Sequence, residues 1–74
     1  MILIATFYSH FGAIRFKKEC SKQGIFAEAM PVPRDLSSSC GTCVRFETDH
    51  LPAFAMNQEV EQVAKVTDTG YIYL

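Results

Sequence analysis

Nothing in this sequence supplies an excess of positive charge, and that shortfall is the first constraint on what the chain does. Seven Lys and Arg stand against eight Asp and Glu, for a formal net charge of −1. So balanced a chain is poorly equipped to neutralise a phosphate backbone, and nucleic-acid binding is unsupported. Five of the basic residues, Arg15, Lys17, Lys18, Lys22 and Arg34, do fall in the first half, where they read as a solvated helix face. Long apolar runs are also missing. The opening "MILIATFYSHFGAIRF" has no basic segment ahead of it and is interrupted by Ser9 and His10. It reads as neither a secretory leader nor a membrane span, so no membrane partner is expected and the cytoplasm is the expected compartment. There is no low-complexity tract, and with 49% hydrophobic and 20% charged residues disorder is excluded.

Cysteine is scarce and odd in number, three in all, which fits poorly with a disulfide-stapled secreted domain. Length is short as well. At 74 residues there is room for one domain and one core, with roughly 60% of the unfolded chain's surface buried on folding. No cleft between lobes is available. A site must lie on a loop or a sheet face, or be completed by another chain.

What is present reads as alternating elements. "ILIATFY", residues 2–8, is a β-branched and aromatic run expected to form a central strand. Ser9 then caps a helix in which Ala13, Phe16 and Cys20 share the apolar stripe, and Gly24 ends it. Residues 25–31 read as a second strand, pushed to an edge by the prolines of "PVP". "TCVRFE" alternates Val44 and Phe46 against Cys43 and Arg45, the period-2 pattern of a third strand. Thr48 or Asp49 is expected to cap a second helix over residues 49–62, with Leu51, Phe54, Ala55 and Val63 turned inward, and Tyr71–Leu74 to form the last strand. A rival parse makes residues 59–66 a strand and the tail a hairpin. The sum is an α+β, ferredoxin-like β-α-β-β-α-β sandwich, with two helices on one face of a four-stranded antiparallel sheet and the other face uncovered.

The connection "PVPRDLSSSCGTC" concentrates the chemistry. Cys40 and Cys43 are separated by Gly41 and Thr42, a spacing that permits a disulfide or a shared metal. Only a thiolate attacks or ligates, and cationic or hydrogen-bonding neighbours promote it. Arg34 and Arg45 flank the pair, Gly41 allows close backbone approach, and amides of the loop Ser37, Ser38, Ser39 to Gly41 are arranged in sequence to form a concave anion site. Cys20 reads as a core thiol, and His10 and His50 as caps or surface residues.

The segment "PVPRDLSSSCG", with "KKECSKQGIFAEAM" before it and "VRFETDHL" after it, resembles the small selenium and sulfur carrier protein-like family. The resemblance runs over nearly the whole chain and is most specific at Pro33, Arg34, Ser37, Ser38, Cys40 and Gly41. It implies a ferredoxin-like domain in which Cys40 carries sulfur or selenium as a persulfide or selenenyl sulfide. Its partners would be a cysteine desulfurase or other donor and acceptor enzymes. In that reading Arg34 and the loop amides hold the terminal anion, and Cys43 either releases the cargo by attacking Cys40 or keeps the site reduced. Such a chain is a carrier rather than a stand-alone enzyme, and no cofactor or metal is called for. Two alternatives stay open: a CxxC redox module or metal site, the latter completed by a second chain, and an interaction domain that pairs with a partner subunit or homodimerises through its open sheet face.

Overall fold

The computed structural model describes residues 1–74. β1 (Ile2–Phe7) leads through the Ser9 cap into α1 (His10–Lys22), and Ser9 Oγ accepts from the Gly12 amide at 3.3 Å. Gly24, at φ 73°, turns the chain out of α1, and the Ile25 amide donates back to the Cys20 carbonyl at 2.8 Å. β2 (Ala27–Pro31), β3 (Thr42–Glu47), a single 3₁₀ turn (Ala53–Met56), β4 (Val60–Thr67) and β5 (Gly70–Tyr73) complete the chain.

The sheet has five strands in the order β2-β3-β1-β4-β5, and every neighbouring pair is antiparallel. The expected α+β class, the interior places of β1 and β3 and the edge position of β2 therefore hold. The four strands and two helices do not: there is one helix, and the segment expected to form the second is a 3₁₀ turn followed by a strand. The rival parse, a strand near 59–66 with a terminal hairpin, is the correct one.

The reason is local. Pro52 starts the turn with extended backbone. Asn57 then ends it, donating from Nδ2 to the Phe54 carbonyl at 3.0 Å and accepting the Glu59 amide at 2.8 Å. An Asn side chain that satisfies the backbone in this way competes with helix propagation.

Alternation along the strands divides the interior into two clusters. Toward α1 lie Leu3, Ala5 and Phe7 of β1, Val44 and Phe46 of β3 and Val63 of β4, packed on Ala13, Phe16 and Cys20. The Phe16 ring sits 5.2, 5.1 and 5.4 Å from those of Phe7, Phe46 and Phe54, edge-to-face and tilted contacts that favour aromatic pairs. Phe54 and Ala55 thus cover, from a short turn, part of the surface expected under a second helix. On the other face Ile4, Cys43 and Ala64 cluster with Leu36, which the β2–β3 loop folds over the sheet. That face is not bare as expected; Leu36 closes its centre.

Candidate functional site

The β2–β3 loop returns across the end of the sheet where β1 finishes and β4 begins. Pro33 and Leu36 close a turn, the Leu36 amide donating to the Pro33 carbonyl at 3.0 Å. Ser38 Oγ donates to the Phe7 carbonyl at 3.1 Å. Glu61 receives two bonds from Ser39, from its amide at 3.1 Å and its hydroxyl at 2.8 Å. The Val32 amide closes the base of the loop on the Gly41 carbonyl at 3.2 Å. Gly41 itself has φ +76° with open space where a Cβ would sit, so the backbone conformation rather than crowding calls for glycine there.

Cys40 stands at the top of this frame, half-buried, its side chain packed against the helix-face cluster. Its Sγ donates to the Thr42 carbonyl at 3.5 Å, its amide donates to Ser38 Oγ at 3.4 Å, and that hydroxyl lies 4.0 Å from the sulfur. Thr42 Oγ1 in turn is hydrogen-bonded to His10 Nδ1 of α1 at 3.3 Å, the hydroxyl donating when that nitrogen carries no proton. To attack an incoming group, Cys40 must give up the Thr42 carbonyl and turn outward. Ser38 is then the nearest hydroxyl able to turn from Phe7 to the sulfur.

The other two cysteines are placed differently. Cys20 and Cys43 are both 0% exposed. Burial pushes the Cys20 thiol up to about 11, with Glu19 adding to the shift. Cys43 is also raised, by burial first and by Cys40 second, and its Sγ donates to the Pro31 carbonyl at 3.7 Å. Cys43 pairs with Thr6 across β1 and with Met30 across β2, on the face turned away from α1. Cys40 packs toward α1. The two thiols of the CxxC stretch therefore belong to clusters on opposite faces of the sheet, and all three cysteines are free.

Neither charged candidate is hydrogen-bonded to the sulfur, whose bonds are to Thr42 and Ser38. Arg34 is exposed in the turn, and Arg45 is half-buried on the Cys43 face, between Ile4 and Glu28. The one ion pair in the chain joins Arg15 to Glu59. Two of the loop amides proposed for an anion, those of Ser39 and Cys40, are engaged by Glu61 and Ser38; Ser37 is exposed. No group of three or more His, Cys, Asp or Glu side chains is placed to hold a metal ion.

Against this geometry the comparison with known families is decisive. The family described as "Putative Se/S carrier protein-like" matches residues 3–65, from the start of β1 into β4. The chain belongs to this Se/S carrier-like family. The match takes in the whole Cys40 loop and its anchors at Phe7, His10 and Glu61, whereas β5 lies beyond it. No match was found among curated proteins or among solved structures. No helix is long and apolar enough to cross a membrane.

Two residues that hold the site escaped the sequence reading. His10 looks like an ordinary first-turn residue, and only the fold carries it to Thr42. Glu61 sits where the register of β4 on β1 shifts between Thr6 and Phe7, Gln62 pairing with Thr6 and Val60 with Phe7. It is the unpaired residue of that irregularity, which re-aims its side chain at the loop.

Proposed function

We propose that the chain carries a single sulfane sulfur or selenium atom on Cys40 between a donor and an acceptor enzyme. The observation that carries this reading is the partition of the thiols. Cys40 alone is neither sealed in the core nor fixed in a strand; it rides on a loop pinned just ahead of it, by Ser38 to Phe7 and by Ser39 to Glu61. Membership of the Se/S carrier-like family supports it.

The transfer is a thiol exchange. The Cys40 thiolate attacks the outer sulfur of a donor persulfide, forming a new S–S bond as the donor's S–S bond breaks and the donor leaves as its thiolate. No net oxidant is needed. An acceptor thiolate takes the outer sulfur by the same step, and Cys40 is returned as a thiolate. The exposed Arg34 and the Ser37 and Gly41 part of the loop are the nearest sequence candidates for holding the terminal anion. Cys43 is the group that would release hydrosulfide by attacking Cys40 Sγ, leaving a disulfide. It is fully buried and bonded to Pro31, so that step would require the start of β3 to open.

The test is intact-mass measurement after incubation with a cysteine desulfurase and cysteine, and in parallel with selenocysteine as the selenium source. One added sulfur or selenium atom, removed by dithiothreitol, mapped to Cys40 and missing in Cys40→Ser, is the expected result. Arg34→Ala should load more slowly. Loading of Cys40→Ser to the parent's extent, or no loading from several active donors, refutes the carrier reading.

A further inference from the structure

A carrier must be found by its partners, and one surface of this chain is furnished for recognition. A groove of about 590 Å³ runs between α1 and the edge strand β2, lined among others by His10, Ile14, Lys17, Lys18, Lys22 and Ala29. No carboxylate lines it, although the chain as a whole is slightly acidic. The acids of these two elements lie elsewhere: Glu19 borders the opposite flank of α1, beside Arg15 and Phe54, and Glu28 pairs with Arg45 on the far face of the sheet. The three lysines are all exposed and none is in an ion pair.

The groove is open because of what β2 lacks. Its positions facing α1 are Ala27, Ala29 and Pro31, the partners of Phe46, Val44 and Thr42, so no long side chain fills the space under the lysines. β2 is also an edge, with one side of its backbone unpaired, which is where an added strand finds partners. From His10 to Lys22 the helix spans about 18 Å, too elongated for a compact anion and suited to a short extended chain. Its upper end is His10, bonded to Thr42, whose carbonyl holds Cys40.

We propose that the groove between α1 and β2 is a docking site for an extended acidic segment of a partner protein, laid along the β2 edge with alternate carboxylates toward Lys17, Lys18 and Lys22. The segment's path ends at His10, so docking delivers the partner to the Cys40 loop. That this partner is an enzyme loading or unloading Cys40 rests on the reading of Cys40 given above; the shape and charge of the groove do not.

A fluorescein-labelled peptide alternating Glu and Thr over six residues is the probe, titrated against the whole chain by anisotropy at several salt concentrations. Binding should weaken steadily with salt. It should fall at least about tenfold on combined Lys17→Glu, Lys18→Glu and Lys22→Glu replacement, while Lys65→Glu on β4 changes it less than about twofold. In the unaltered protein, amide shifts on binding should cluster in residues 10–31, which locates the site without relying on the charge-reversed variant. Cys40→Ser should bind the peptide like the parent, so a chain that fails to load sulfur yet binds the peptide separates the two readings. Salt-independent binding, unchanged affinity after charge reversal, or shifts elsewhere would overturn the proposal. So would tighter binding of a thymidine oligonucleotide or of inorganic diphosphate than of the peptide, which would make the groove a phosphate site.

Discussion

Ser39 is fastened to Glu61 twice, its amide and hydroxyl each donating to a different carboxylate oxygen. The loop that bears Cys40 is thereby tied to β4, at the one place where β4 slips its register on β1. The position of the sulfur depends on a residue twenty-one places downstream in sequence.

Removing that tie should loosen the thiol. With Glu61→Ala, alkylation of Cys40 by iodoacetamide should quicken several-fold, while the fold loses at most about 1 kcal/mol as two exposed hydrogen bonds disappear. Glu61→Gln, which keeps an acceptor, should fall between. A Cys40 reaction rate unmoved in both would show that the loop is held from its other side, at Phe7.

Gly41 should resist replacement for a backbone reason alone. At φ +76° an L side chain is strained even in open space, so Gly41→Ala should cost about 1–2 kcal/mol in chemical denaturation. Gly41→Asn should cost less, since Asn tolerates the left-handed region. Equal stability of parent and Gly41→Ala would mean that this turn relaxes without loss.

The buried thiols set a pH dependence with a definite sign. Folding raises Cys20 from an ordinary 9.0 to about 11, so the unfolded chain loses this proton first. The contribution is therefore whole below about pH 9 and is lost as pH climbs toward 11. Cys43 acts in the same direction. Melting temperatures followed across that range should fall, and should fall less steeply in Cys20→Ala than in the parent, although Cys20→Ala starts lower because of its cavity. Parallel curves would rule out Cys20 as a source of the slope.

Cys43 offers a sharper discrimination. Held on the far face and bonded to Pro31, it should leave Cys40 loading intact when replaced by Ser, and should alter the lifetime of the loaded persulfide by less than about twofold. A lifetime extended tenfold in Cys43→Ser would establish that the start of β3 opens often enough for internal attack.

Much of this arrangement is legible along the chain, and its failures have physical causes. β1, α1 with its Ser9 cap, the edge character of β2 and the alternation of β3 follow from short-range signals. Across residues 49–63 the inward set is also legible, since Ala55 and Val63 are buried and Leu51 and Phe54 pack on the core. Their backbone is not, because "VEQVAKV" carries a register slip: Val60 and Val63 both serve the helix face, an interval of three that imitates a helical turn. In the loop, Cys40 and its Ser and Gly neighbours announce themselves. The separation of Cys40 from Cys43 does not, since it follows from which residue of β3 pairs with Thr6.

β1 pairs with β3 on one side and β4 on the other, and both follow it by dozens of residues. During synthesis the apolar stretch from Ile2 to Phe7 thus stays unpaired until residues 42–67 have emerged. At the pace of translation that interval is of the order of several seconds. Over that time α1, which packs on Leu3, Ala5 and Phe7, is already in place to shield it. The capped helix with Phe16 on its inner face acts as a temporary companion to the strand, which gives the Ser9 cap a role in keeping nascent chains apart.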